Sequence, residues 1–188
     1  MDNPNKFNIE KYSNAPLRLE LISNFNVAPD LLFDAVSDHH AVVNWVPLMK
    51  AVSMEHHARE GDEECGVGSV RHCTLRGMGG IDETIVWWNP PYGYAFRVVA
   101  KSKIMMPTED HISVMLIEPD HNGGSILTWR HYFNWSGLVM RHLSSLMFPM
   151  MMRSAINNIH DEVGDKVEHA CSANTACTIE SNQKCCCK

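Results

Sequence analysis

Positive charge is scarce in this sequence: Lys and Arg number 16 against 22 Asp and Glu, for a formal charge of −6. Nucleic-acid backbones are held by clustered Lys and Arg, and no basic block occurs, so nucleic acid is excluded as a partner. Long apolar runs are missing too. No stretch approaches the roughly 18 consecutive apolar residues that mark a spanning helix. Met1 to Pro16 lacks the charged-then-apolar layout of a secretory signal. A cytoplasmic location with no transmembrane segment is the expectation.

Cofactor and metal signatures are also lacking. Gly66-Val-Gly-Ser-Val-Arg71 has no third glycine and no helix after it, so it is not a dinucleotide fingerprint. Gly77-Met-Gly-Gly80 is too short for a phosphate loop and lacks its Lys-Ser/Thr ending. No serine sits in a nucleophile elbow. The pairs His39-His40 and His56-His57 send successive side chains in different directions and form no local chelate, so all four read as surface histidines. No third ligand at a fixed spacing accompanies any His pair. Neither cofactor nor metal is expected.

Cysteine is thin in the body, where only Cys65 and Cys73 occur, while Cys171, Cys177, Cys185, Cys186 and Cys187 crowd the end. Adjacent cysteines do not readily bridge one another, and a reducing compartment keeps thiols free. The final Cys-Cys-Cys-Lys lacks the aliphatic pair of a prenylation signal. Residues 171–188 read as a disordered, thiol-rich tail. Soft-metal capture is the alternative, without His or CxxC spacing to support it.

What is present is an ordinary globular composition, 45% hydrophobic and 20% charged over 188 residues, enough for one domain with a sizeable core. Residues 1–16, rich in Asn with Pro4 and Pro16, read as an extended leader. Leu17 to Val27 alternates as a strand. Pro29 opens a short helix to Val36, and a second is expected from Ser37 or Asp38 to the stop at Pro47. Strand patterns follow at Met49 to Ala58, Gly68 to Arg76, Ile81 to Asn89, Tyr94 to Lys101, Asp110 to Glu118 and Ser125 to Trp135. Gly- and Pro-rich breakers at short spacing separate them, which predicts a strongly bent antiparallel sheet of about seven strands. The last element is helical, with Pro149 either kinking it or starting a new piece. From Met152 onward, Ile156, Ile159, Val163, Val167 and Ala170 make one apolar stripe. The expected class is α+β, with the domain spanning residues 17–170 and a long C-terminal helix laid across the sheet.

Within the sheet, alternation puts Glu83 on the same side as Ile81, Ile85 and Trp87. A carboxylate in an apolar row is costly to bury unless something answers it.

Several motifs carry a resemblance. Ala28-Pro-Asp-Leu-Leu-Phe-Asp-Ala-Val-Ser-Asp38 is followed by Trp45, then by Gly66-Val-Gly-Ser-Val-Arg71. Asp82-Glu-Thr84, Trp88-Asn-Pro-Pro91 and Thr128-Trp129 come after. In this order they resemble the SRPBCC superfamily, with its START-like or helix-grip fold, and most nearly its polyketide cyclase/dehydrase-like branch. The resemblance covers roughly residues 17–170; the leader and the cysteine tail have no counterpart in it. It implies a deep, mostly apolar cavity between sheet and helix that holds a hydrophobic small molecule, in proteins of which only some are catalysts.

The same resemblance implies inward positions for Arg71 and Glu83, and strand parity then extends the lining. Cys73, Leu75, Ile81, Ile85 and Trp87 should face in, as should Phe96, Val98, His111, Ser113, Met115, Ile117, Leu127, Trp129, His131 and Phe133. A bulge reverses parity beyond it, so each strand stands alone. Trp45, Met152 and Ile156 complete the candidate ligand-binding set, and the thioethers at Met140, Met147, Met150, Met151 and Met152 suit an adaptable wall or an ordinary helix core. Inward Arg71 and Glu83 on adjacent strands can pair, either to orient a ligand or only to close one end of the barrel.

Three functions follow from this lining. The first is binding of a hydrophobic or amphipathic molecule, lipid-, polyketide- or aromatic-like. The second is a cyclase/dehydrase-type enzyme in which His111 or His131 removes a proton alpha to a carbonyl while Arg71 stabilises the enolate oxygen. The third is a partner-dependent module gated by the loops Gly77 to Gly80 and Met105 to Pro107.

Overall fold

The computed structural model describes residues 7–55, 66–77, 79–102, 106–136 and 139–173. His56, His57, Cys65, the acidic turn 59–64, Met105 and residues 174–188 lie outside that set, as does the Met140 side chain.

Strand β1, Leu17–Phe25, leads into helix α1, Pro29–Ser37, and the single turn α2, Val42–Trp45. Six strands follow: β2 Met49–Glu55, β3 Val70–Leu75, β4 Gly79–Asn89, β5 Gly93–Ala100, β6 Thr108–Pro119 and β7 Ser125–Trp135. They form one antiparallel sheet ordered β1-β7-β6-β5-β4-β3-β2, so the two short helices carry the chain from one edge to the other.

Helix α1 begins at Pro29, whose missing N–H is unneeded in a first turn, and buries Leu32, Phe33, Ala35 and Val36. The second helix is shorter than its sequence pattern suggests. Asp38 Oδ1 accepts from the amides of His40 and Ala41, a turn that uses the cap acceptor before any helix starts. His39 is thereby turned inward and is fully buried, which corrects its reading as a surface histidine; His40 is exposed.

Helix α3 runs unbroken over Val139–Ala173 with Pro149 inside it. Its two halves differ. Beyond Pro149, Met152, Ala155, Ile156, Ile159 and Val163 are buried, and α3 packs on α1, α2 and β1. Asn158 Nδ2 donates to the Trp45 carbonyl at 3.1 Å, and His160 stacks on Phe25 at 4.0 Å between ring centroids. Before Pro149, Leu146 and Met147 are exposed, as is Met150 just after it. One end clamps the sheet while the other leaves a mouth.

The outer face of the sheet is covered by the chain's own start. Phe7, Ile9 and Tyr12 pack over Ala95, Ile112 and Val114 around a 3-10 turn, Ile9–Lys11. Arg97 Nη2 donates to the Tyr12 carbonyl at 2.7 Å, and Ser13 Oγ donates to Asp110 Oδ2 at 2.7 Å. Trp87 belongs to this outer cluster, 5.5 Å from Phe7 between ring centroids, so its expected inward position is wrong. The cause is a register shift between Ile85 and Trp87, which reverses parity and turns Trp88 inward against Phe33 and Tyr94.

Candidate functional site

A cavity of about 650 Å³ lies between the concave face of the sheet and α3. Its position follows from the helix: α3 meets α1, α2 and β1, and the space over the central strands is walled by side chains alone. On the sheet side the lining comprises Leu75, Ile81, Phe96, Val98, Trp129 and the polar residues Arg71, Glu83, His111 and His131. On the helix side it comprises Met147, Phe148, Met150, Met151 and Met152, with Trp45 from α2 and Met106 to Thr108 at the rim.

Of the residues proposed from sequence, Trp45, Arg71, Glu83, Phe96, Val98, His111, Trp129, His131 and Met152 therefore lie on the cavity wall. Cys73, Ile85, Ser113, Met115 and Ile156 are buried in the core beside it but are not part of the lining. Trp87 is on the opposite face. Met49, Met106 and Phe148 line the cavity and were not singled out from sequence; their signal is apolar character alone, which core and cavity share.

The strand ladder orders the polar groups. Arg71 faces Glu83, Glu83 faces Val98, and Val98 faces His111, one row across four strands. Arg71 and His111 are thus three strand spacings apart, about 14 Å between backbones. They form two separate polar sites.

At the first, Arg71 Nε donates to Glu83 Oε2 at 2.6 Å, with both side chains almost wholly buried. Arg71 Nη1 lies 3.4 Å from His39 Nδ1, and its guanidinium carbon sits 5.1 Å from the Phe96 ring centre. Burial pulls the Arg71 pKa down, but the Glu83 carboxylate beside it prevails and the net shift is upward. Burial pushes the Cys73 thiol up, Glu83 adds to this, and the thiol stays protonated and donates to Glu83 Oε2 at 3.4 Å. Tyr94, pushed up to about 12 mainly by burial, donates to the Val36 carbonyl at 2.7 Å. No nucleophile is activated here.

At the second, His111 Nε2 and His131 Nδ1 lie 3.2 Å apart. His131 pairs with Ser113, so it is a diagonal neighbour of His111, within reach of a ring-to-ring contact. Burial lowers His111 to about 3, and burial together with His111 lowers His131 well below the ordinary value. Both imidazoles are neutral at pH 7. Ser113 is occupied: it accepts from Trp129 Nε1 at 2.8 Å. The outer nitrogens, His111 Nδ1 and His131 Nε2, have no hydrogen-bond partner among the described residues, nor does Trp45 Nε1.

Among the described residues, no group of three or more His, Cys, Asp or Glu is placed to hold a metal ion. No described helix is long and apolar enough to cross a membrane.

A curved seven-stranded sheet gripping one long helix around an apolar cavity is the helix-grip, SRPBCC-type fold. The sequence matches the family model for polyketide cyclase/dehydrase and lipid transport over residues 20–164. The chain belongs to that family. No curated protein matches it in sequence. Among solved structures it is similar to XoxI from Bacillus cereus, with a TM-score of 0.60 at 14% identity over 80% of this chain and 97% of that one. It is also similar to Ara h 8.0201, with a TM-score of 0.59 at 18% identity over 78% and 97% of the two chains. Major latex-like protein 151 from Panax ginseng gives 0.58 at 15% identity over 76% and 94%. Identities this low show a shared fold.

Proposed function

We propose that this protein binds a hydrophobic or amphipathic small molecule between its sheet and α3, as a carrier or sensor rather than as a catalyst. The observation that carries this reading is the cavity itself. Its volume of about 650 Å³ falls within the range of small-molecule sites, and its wall is aliphatic, thioether and aromatic with a few polar groups. Met147, Met150 and Met151 suit a wall that adapts to its occupant, because thioether side chains are flexible and polarizable.

The cyclase/dehydrase alternative needs a His nitrogen and the Arg71 guanidinium at one reacting centre. The ladder spaces them three strands apart, and Arg71 is engaged with Glu83. A histidine held near a pKa of 3 is also a weak base for removing a proton alpha to a carbonyl. Binding is therefore the better-supported function.

Native mass spectrometry of the purified chain, followed by organic extraction, tests the reading. A copurifying apolar compound, or saturable uptake of the neutral fluorophore N-phenyl-1-naphthylamine, is the expected result. Folded protein that does neither contradicts it.

A further inference from the structure

We infer that the cavity selects an uncharged amphiphile and that the His111–His131 pair recognises its hydroxyl or carbonyl group. This rests on the binding reading above and names the ligand class of that site.

The argument begins with charge. Among the described residues, Arg71 and Glu83 are the charged side chains on the cavity wall, and they engage each other at 2.6 Å. Among the described residues the wall carries no further cation to meet a carboxylate or phosphate, and burying an unpaired anion carries a large desolvation cost. Protonating a histidine to meet an anion must overcome the burial that keeps both rings neutral.

Hydrogen bonding supplies the positive half. In a neutral imidazole one nitrogen carries a proton and the other a lone pair. A single proton lies between His111 Nε2 and His131 Nδ1, whichever ring owns it. It follows that one outer nitrogen of the pair is a donor and the other an acceptor. Exchanging the two tautomers exchanges these roles. Both outer nitrogens lack a partner among the described residues, and both rings belong to the cavity wall. A hydroxyl, which donates and accepts, answers either end in either tautomer; a carbonyl answers the donor end.

Trp45 Nε1, on the same wall and likewise without a partner, adds a fixed donor. It is connected to the pair through Trp129, which is 5.9 Å from Trp45 and 5.1 Å from His131 between ring centroids. A hydrocarbon would leave these groups unanswered, and unmet buried donors and acceptors are costly. Phe148 of α3 covers the pair from the helix side, with centroids 6.0 Å from His111 and 5.0 Å from His131. The polar end of the ligand is thus placed beneath Phe148, and its apolar body extends along the methionine wall.

The test is displacement of N-phenyl-1-naphthylamine from the full chain at pH 7 by dodecane, dodecanol, 2-dodecanone and dodecanoate, compounds matched in chain length. Dodecanol and 2-dodecanone should displace the probe at roughly ten-fold lower concentration than dodecane or dodecanoate. In the double variant His111→Leu with His131→Leu that preference should be lost, dodecanol and dodecane displacing the probe at similar concentrations whatever probe affinity the variant keeps. Nitrogen-15 shifts of the two imidazoles should move with dodecanol in the wild type, which separates recognition from a general loss of fold. Dodecanoate binding more tightly than dodecanol, or a preference that survives in the double variant, overturns the inference. If the probe itself does not bind the folded wild type, the binding reading fails instead.

Discussion

Arg71 and Glu83 stand directly opposite each other on β3 and β4, joined through Nε and Oε2 at 2.6 Å and shut away from bulk water. Their cross-strand register makes them a pair, and the Phe96 ring lies against the guanidinium, 5.1 Å from its carbon to the ring centre. Such a pair contributes little over a well-packed apolar substitute, but breaking it by halves is severe.

Glu83→Ala should accordingly destabilise the fold by about 3–5 kcal/mol, because it leaves a buried guanidinium uncompensated. Arg71→Met combined with Glu83→Leu should lose less than Glu83→Ala alone. Urea unfolding of the two variants beside the unsubstituted protein checks this; equal losses for the single and double variants would show that the pairing is not the cause.

The two cavity histidines make stability depend on pH. In the unfolded chain each titrates near 6.5, whereas His111 is held at about 3 in the folded state and His131 is lowered in the same direction. Between these values the unfolded chain binds more protons, so stability rises with pH and falls as pH drops below about 6.5. The slope contributed approaches about 1.4 kcal/mol per pH unit for each histidine. Replacing both rings, as in His111→Phe with His131→Phe, should flatten the profile of unfolding midpoints between pH 7 and 5. An unchanged profile would place the acid sensitivity elsewhere.

Trp87 and Trp45 should separate stability from binding. Trp87→Ala removes an aromatic contact with Phe7 on the outer face and should cost about 1–3 kcal/mol while leaving probe affinity unchanged. Trp45→Ala opens the cavity wall and should weaken probe binding as well as stability. Equal effects on binding from both substitutions would contradict the assignment of the two faces.

Gly93 should not tolerate a side chain. Its φ is 138°, and an added Cβ would lie 2.1 Å from the Met115 carbonyl oxygen. Gly93→Ala should lower the unfolding midpoint by several degrees, the equivalent of more than about 1 kcal/mol. A neutral substitution there would mean that β5 and β6 can move apart.

The fold was legible in the sequence because each layer wrote its own period. Alternation marked β7, Gly- and Pro-rich breakers bounded the strands before it, and steps of three and four from Met152 to Val163 marked the helix face that is buried. Parity carried inward positions across the sheet until Ile85. It failed at Trp87 because Val86, Trp87 and Trp88 are all apolar, so no polar residue signals the shift in register. His39 was missed for a related reason. Asp38 turns the chain through its own backbone hydrogen bonds, and that local geometry, invisible as periodicity, directs the ring toward Arg71. The division between cavity wall and solid core was not legible either. Met115 and Val98 both face inward, yet only Val98 borders the cavity, because the depth of a residue beneath α3 depends on packing.

The cavity's role is tested most directly by methyl NMR of the methionines during titration with N-phenyl-1-naphthylamine. Met49, Met106, Met147, Met150, Met151 and Met152 border the cavity and provide resonances around its wall. The account predicts that these methyls shift together and saturate with the fluorescence, and that Val98→Phe, which narrows the cavity from β5, weakens both responses in a folded protein. Shifts confined to other methionines, or a probe affinity unchanged in Val98→Phe, would contradict it.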